Sequence, residues 1–144
     1  MNAMAWSPRR GLITVTSSVE DIQNKILRHV SPAFSEDPLR VFRVARFAAQ
    51  LNWMVAPETI QLMKSMVSEL SHLKMDRVKA ELLKVIASQY PHRFFEVLAE
   101  ADCLNYWFPE VDALRGLYQK PEHHPEGDCF SHTMLSLRRV GALS

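Results

Sequence analysis

The chain has 144 residues, of which 47% are hydrophobic, and its formal net charge is +1. This composition excludes a disordered chain, and the small net charge means that any RNA contact must come from a local basic patch. No stretch approaches the ~20 apolar residues that a membrane-spanning helix needs. Cys103 and Cys129 show no pairing pattern, which favours a reducing, cytoplasmic location.

The residue pattern favours helices over sheet, because glycine is scarce and β-branched residues rarely alternate with polar ones. We predict an all-α bundle of about six helices, preceded by ~16 residues that are irregular or form a stray strand. In that opening segment a turn at 7–11 precedes a stretch of strand composition at 12–16.

The predicted helices begin at capping or proline signals and carry apolar residues three to four positions apart. The first starts at a Ser18-x-x-Asp21 capping box, and Val19, Ile22 and Ile26 would form its buried face. The helices are predicted at 19–29, 38–51, 57–70, 76–88, 91–102 and 110–114, with a last one at 131–144.

The start of the second predicted helix is the most informative stretch. Asp37 can cap its first turn ahead of a proline, and Glu36 suits the positive end of the helix dipole. Arg40, Arg43 and Arg46 follow at a spacing of three, which places them on one stripe about one turn apart. The spacing alone favours a solvated face on which Glu36 and Asp37 both pair with Arg40.

The same residues allow a second interpretation based on hydrogen-bond geometry. A carboxylate only accepts hydrogen bonds, whereas a guanidinium only donates them. Side by side, Asp37 and Arg40 would match the amino donor and ring-nitrogen acceptor on the pairing edges of cytosine and adenine. Guanine and uracil present a carbonyl beside an N–H, so they would leave buried polar groups unpaired. Such a pair would accept C and A and reject G and U.

Residues 36–49 resemble the E-D-x-x-R-x-x-R motif of the class II tRNA nucleotidyltransferases, the CCA-adding enzymes, and most closely their bacterial multifunctional form. The resemblance implies that Asp37 and Arg40 template the incoming CTP or ATP and that Arg43 also contacts the nucleotide. Glu36 and Arg46 would support them.

The resemblance runs in order along the whole chain. Residues 29–34 and 124–128 favour a CCA-adding enzyme over its relative, bacterial poly(A) polymerase. Arg77-Val78-x-x-Glu81 resembles the family's later R-x-x-x-E motif, which would have a supporting role. On energetic grounds we favour the simpler interpretation, an i,i+4 pair that ties this helix to its neighbours.

The resemblance also implies a division of the chain into three parts. Residues 1–16 would be a remnant of a catalytic head domain, which suggests a fragment that begins inside that domain. Residues 17–116 would be the neck and body, which bind nucleotide and RNA. Residues 117–144 would be a linker and the first helix of a truncated HD-type phosphohydrolase domain.

A metal site near the end of the chain has some support. His124, Asp128 and His132 are spaced by four, and residues 124–133 resemble the opening of the HD-type domain. His132 would be its first metal-binding histidine. The remaining ligands would lie beyond Ser144, so no complete metal site is predicted.

In function, the resemblance implies an enzyme that adds C, C and A to tRNA 3′ ends from CTP and ATP with Mg²⁺. Phosphoryl transfer needs carboxylates that hold two metal ions about 4 Å apart, yet the chain contains neither a D-x-D pair nor a G-G-x-x-R segment. We therefore expect a nucleotide-selecting, tRNA-binding part that needs a head domain, is inactive alone and holds no nucleotide or Mg²⁺ firmly.

Two alternatives remain open. The chain could be a fragment of a bacterial poly(A) polymerase, or a non-catalytic helical module that binds RNA or a partner subunit.

Overall fold

The computed structural model of the protein describes residues 4–14, 18–118 and 127–143. Over these ranges the chain forms seven α-helices, two 3₁₀ helices and two small two-stranded sheets. This confirms the prediction of a mostly helical protein with a short strand segment near its start.

The elements are as follows in chain order. The strands are β1 (Met4–Ser7), β2 (Gly11–Thr14), β3 (Ile26–Leu27) and β4 (Met54–Val55). The α-helices are α1 (Ser18–Gln23), α2 (Leu39–Leu51), α3 (Pro57–Ser65), α4 (Met75–Ile86), α5 (Pro91–Glu100), α6 (Pro109–Asp112) and α7 (Cys129–Gly141). The 3₁₀ helices cover Pro32–Glu36 and Val67–His72.

Strands β1 and β2 form an antiparallel hairpin in which Met4 faces Thr14 and Ser7 faces Gly11. Gly11 has a φ of +68°, a left-handed conformation that glycine adopts without steric cost, and it returns the chain after the turn. The predicted turn at 7–11 therefore joins the two strands of a hairpin.

The predicted helix over 19–29 is wrong in its second half. Helix α1 ends at Gln23, and Lys25 takes a left-handed φ of +57°, which stops the helix. The chain then enters β3, which pairs in parallel with the distant β4. As a result Val19 and Ile22 are each 38% exposed, and Leu27 is the residue that reaches the core.

The predicted helix over 57–70 is also divided. Helix α3 ends at Ser65, and a 3₁₀ helix continues the path. Met63, Met66 and Leu70 are nevertheless all buried. The apolar spacing holds across both elements, so it could not distinguish one α-helix from an α-helix followed by a 3₁₀ helix.

The core is centred on α2, which packs against both α4 and α5. Three buried alanines of α2 let α5 approach closely, and the backbone N–H of Tyr90 donates to the carbonyl of Ala49 over 3.1 Å. Phe42 on α2 and Phe94 on α5 stack with their ring centroids 6.2 Å apart, and both rings are fully buried. The hydrophobic face of α2 is thereby covered along most of its length.

Helix α7 packs against the start of α5. A Cβ atom added at Gly141 would lie 2.4 Å from the carbonyl oxygen of Gln89, so this close approach requires glycine. None of the described helices is long and apolar enough to cross a membrane.

Candidate functional site

The site predicted from the sequence lies where the first 3₁₀ helix passes into α2. Asp37 has extended backbone angles, whereas Pro38 already has helical ones. The Asp37 Oδ1 atom accepts a hydrogen bond from the backbone N–H of Leu39 at 3.1 Å. The Asp37 side chain therefore satisfies a first-turn N–H, as predicted, although the assigned helix begins two residues later.

The other carboxylate oxygen of Asp37 is held from α4. Arg77 Nη2 donates to Asp37 Oδ2 over 3.0 Å, in a pair whose side chains are 49% and 32% exposed. This contact fixes the orientation of the carboxylate while leaving part of it open to solvent.

The predicted ion pairs of Arg40 with Glu36 and Asp37 do not form among the described residues. Arg40 instead donates through Nη1 to the backbone carbonyl of Ala33, in the preceding 3₁₀ helix. A guanidinium has five N–H donors and a carbonyl oxygen has two lone pairs, so the Ala33 carbonyl can accept from Arg40 as well as within its own helix. The prediction that Glu36 and Asp37 pair with Arg40 is therefore wrong.

The donors and acceptors at the start of α2 retain spare capacity. Each carboxylate oxygen of Asp37 has two lone pairs, and Arg40 uses one of its five N–H groups in the contact with Ala33. Arg43 is exposed and makes no hydrogen bond or ion pair with any described residue. Acceptor oxygens and two guanidinium groups are thus available at this end of the helix.

The third arginine of the stripe has a different environment. Arg46 Nε lies 2.5 Å from Glu81 Oε2 on α4, and the two side chains are only 10% and 8% exposed. Arg46 also donates to Gln50 over 2.7 Å, and its guanidinium carbon lies 4.2 Å from the centroid of the Phe47 ring. Lys84 adds a second contact to Glu81 at 3.3 Å.

The predicted i,i+4 pair between Arg77 and Glu81 does not form. Arg77 instead reaches Asp37, just before α2, and Glu81 reaches Arg46 on α2. The R-x-x-x-E spacing on α4 thus produces two ties between helices. The sequence held one signal for the buried tie, since Arg46 interrupts an otherwise apolar stretch and a buried arginine needs a partner.

The metal prediction depends on residues that the structure describes only in part. His124 lies outside the described residues. Asp128 caps α7, because its Oδ1 accepts from the N–H and hydroxyl of Ser131 at 2.9 and 2.7 Å and its Oδ2 accepts from the N–H of Gly116 at 2.8 Å. These hydrogen bonds, that of the Ser131 hydroxyl first, lower the pKa of the Asp128 carboxyl.

Over residues 4–14, 18–118 and 127–143, no group of three His, Cys, Asp or Glu side chains could hold a metal ion. The described residues therefore contain no carboxylate cluster that fits Mg²⁺. The role of His132 as a first metal ligand stays a prediction.

The buried cysteine has no catalytic character. Burial, followed by the nearby Asp102 charge, raises the pKa of the Cys103 thiol to about 12. It is therefore a neutral thiol at neutral pH rather than a nucleophilic thiolate.

Three comparisons place this arrangement among known proteins. A family model described as "Probable RNA and SrmB- binding site of polymerase A" matches residues 54–115. The "Multifunctional CCA protein" of Tolumonas auensis is 45% identical over 149 aligned positions, which include all of this chain and 36% of that protein. The chain thus spans little more than a third of the length of this curated relative.

Solved structures agree. The Bacillus stearothermophilus CCA-adding enzyme in complex with CTP superposes with a TM-score of 0.69 at 29% identity, over 78% of this chain and 30% of that one. A CCA-adding enzyme in complex with ATP gives a TM-score of 0.65 at 26% identity, over 87% of this chain and 30% of that one. These similarities confirm the resemblance carried by residues 36–49: the chain is homologous over its whole length to about a third of a multifunctional CCA protein.

Proposed function

We propose that this chain is the helical part of a CCA-adding enzyme that selects CTP and ATP and binds tRNA. One observation carries the proposal: the Asp37 carboxylate is held in place by Arg77 yet remains 32% exposed, one helical turn before Arg40. The relatives support it, since the similar solved structures are CCA-adding enzymes with CTP or ATP bound.

In this proposal Asp37 accepts a hydrogen bond from the amino group of cytosine or adenine. Arg40 donates to the neighbouring ring nitrogen, and the exposed Arg43 contacts the nucleotide from the next turn of α2. Guanine and uracil would leave both protein groups unpaired in a site closed by the substrate, which costs about 1–3 kcal/mol for each group. The choice of nucleotide therefore depends on where each base carries hydrogen-bond donors and acceptors, and not on the size of the base.

The supporting residues position the start of α2 and the side chains on it. Arg77 orients the Asp37 carboxylate, and the Arg46–Glu81 pair holds α2 against α4. Glu36 lies at the end of the preceding 3₁₀ helix and is exposed, where its charge favours the positive end of the α2 dipole.

The chemical step itself is assigned to a head domain that supplies metal-binding aspartates, because two-metal phosphoryl transfer requires such a carboxylate set. In the same proposal residues 1–16 belong to that head, 17–116 form the neck and body, and 117–144 begin an HD-type domain. The chain incubated alone with tRNA, CTP, ATP and Mg²⁺ is expected to give no product.

The test is a chimera in which this chain replaces the matching part of the Tolumonas auensis multifunctional CCA protein. The measured quantity is the ratio of CTP plus ATP use to GTP plus UTP use. Asp37→Ala and Arg40→Ala should each lower transition-state binding of the correct nucleotide by ~2–4 kcal/mol, which is a few tens to several hundred-fold in kcat/KM.

Matched controls come from the exposed start of α4. Asp76→Ala removes a carboxylate and Lys79→Ala a cation; both side chains are exposed and make no hydrogen bond or ion pair with a described residue. Both controls should leave the ratio unchanged. An unchanged ratio with full activity in Asp37→Ala and Arg40→Ala would leave these residues as ordinary surface charges.

A second candidate function is RNA binding without nucleotide selection. The match of residues 54–115 to an RNA-binding family model favours it, because that match leaves out Asp37, Arg40 and Arg43. It predicts tRNA binding by the chain alone together with a nucleotide ratio that the two α2 variants do not alter.

A further inference from the structure

An open groove lies at the opposite end of α2 from Asp37. It runs between α5 and α7, has a volume of about 680 Å³, and is bordered at its α2 end by Asn52. Helix α2 has 13 residues, so the groove is about 20 Å from the nucleotide-selecting site. The residues that matter for its chemistry are Tyr90, His92, Arg93, Glu96, Phe130 and Arg138.

His92, in the wall of this groove, has an unsatisfied polar atom. The residue is only 7% exposed, and its Nδ1 atom is buried with no hydrogen-bond partner among the described residues. Burial lowers the pKa of His92, so the ring is neutral at neutral pH and offers one donor and one acceptor. Buried polar groups are nearly always paired, so the described residues leave this nitrogen in need of a partner.

The charged groups of the groove favour an anion. Arg93 is paired with Glu96 at 2.6 Å, whereas Arg138 is exposed and pairs with no described residue. Two guanidinium groups thus face one carboxylate. Tyr90 and Phe130 are half-buried and add aromatic surface on either side, with the Tyr90 ring 6.4 Å from that of His92.

Guanidinium groups, aromatic surface and a neutral imidazole form the donor set that suits an RNA backbone. Arginine binds phosphate, aromatic rings pack against sugar or base, and the ribose 2′-hydroxyl both donates and accepts. A neutral imidazole can therefore pair with a 2′-hydroxyl in either tautomer. One wall of the groove lies within residues 54–115, which match the RNA-binding family model, and α7 supplies the other wall.

We propose that this groove binds the sugar–phosphate backbone of RNA, with a phosphate at Arg138 and a ribose hydroxyl at His92. The identification of RNA as the ligand rests on the proposed function. The groove is a second RNA contact, separate from the start of α2, and it gives α7 a role that the family model match does not include.

The test measures binding of the full chain to a fluorescein-labelled tRNA transcript by anisotropy at several KCl concentrations. Each phosphate contact contributes about 0.7–0.9 to the slope of log K against log salt. Arg138→Gln should lower that slope by about this amount and weaken binding roughly 3–10-fold at low salt. Glu96→Gln should tighten binding, because it releases Arg93.

Arg139→Gln is the matched control, since Arg139 is the next residue of α7, is also exposed and lies outside the groove. Equal losses of tRNA affinity in Arg138→Gln and Arg139→Gln would mean that the basic surface attracts RNA diffusely, and they would overturn the proposal that the groove binds RNA. Absence of tRNA binding by the unmodified chain, or weaker binding in Glu96→Gln, would also overturn it. Full competition by millimolar inorganic phosphate would show a phosphate-ion site instead of an RNA site.

The hydroxyl contact has its own test. The unmodified chain should prefer an RNA duplex to a DNA duplex of the same sequence, and His92→Phe should reduce that preference; equal binding of the two duplexes would remove His92 from the proposal.

In the chimera, Arg138→Gln should raise the KM for tRNA without changing the ratio of CTP plus ATP use to GTP plus UTP use. Failure of the groove is thereby distinguished from failure of nucleotide selection, which depends on Asp37 and Arg40.

Discussion

The two ends of the arginine stripe on α2 have opposite environments. Arg43 is exposed and unpaired among the described residues, whereas Arg46, three positions further on, is buried against Glu81 at 2.5 Å. Both are arginines at the same regular spacing on one helix. The difference arises because the carboxylate of α4 lies opposite only one of them, which leaves the start of α2 open and closes its middle.

This contrast separates two uses of charge. A buried ion pair loses the hydration of both ions, so it adds little net stability but strongly penalises any arrangement that separates the partners. The exposed Asp37–Arg77 pair costs little to open. In the proposed function, the nucleotide is therefore received by the exposed contacts, and the buried ones set the position of those contacts.

The largest expected effect comes from breaking the buried tie. Glu81→Ala leaves the Arg46 guanidinium buried with Gln50 as its remaining hydrogen-bond partner, and it should lower the free energy of unfolding by about 3–5 kcal/mol. Urea denaturation followed by circular dichroism measures this loss.

The control for that experiment removes both charges. The double variant Arg46→Met with Glu81→Leu should recover most of the lost stability, because no unpaired ion is left in the core. A loss below ~1 kcal/mol in Glu81→Ala would show that the pair behaves like a surface contact.

An intermediate effect is expected at the exposed tie. Arg77→Ala should cost at most ~1 kcal/mol of stability, since both side chains of the pair are partly exposed to solvent. In the chimera it should nevertheless weaken the preference for CTP and ATP, because the Asp37 carboxylate is no longer held. Lys79→Ala, which removes a cation two residues away, should change neither quantity. A large loss of stability with intact selection would assign Arg77 a purely structural role.

The smallest expected effect on stability belongs to the open end of the stripe. Arg43→Ala should change the free energy of unfolding by less than ~0.5 kcal/mol, as is usual for exposed positions. The same change should raise the KM for CTP and ATP in the chimera. A measured stability loss comparable to that of Glu81→Ala would contradict the contrast between the two ends of α2.

Much of the fold followed from local signals. Helices α2, α4 and α5 begin within one residue of their predicted starts and end within two of their predicted ends, because proline positions, capping residues and apolar spacing act over a single turn. The motif with Asp37, Arg40 and Arg43 was identified by its resemblance to the CCA-adding enzymes, and the comparisons confirm that resemblance.

The sequence-based predictions were wrong where residues far apart in the chain determine the local structure. Residues 26–27 left the predicted helix because β4, 28 positions away, offers a parallel strand to pair with. The predicted burial of Val19 and Ile22 failed with it, since the apolar pattern of α1 assumed a longer helix.

The order of residues was sufficient to identify the polar groups at the start of α2 and the helix that carries them, because capping and helical spacing are properties of neighbouring residues. Only the packed structure showed that Arg77 holds Asp37, that Glu81 neutralises Arg46, and that α7 completes a groove on α5. These partners are separated by 35 or more positions along the chain, and charge pairing at that range depends on how the helices pack rather than on local periodicity.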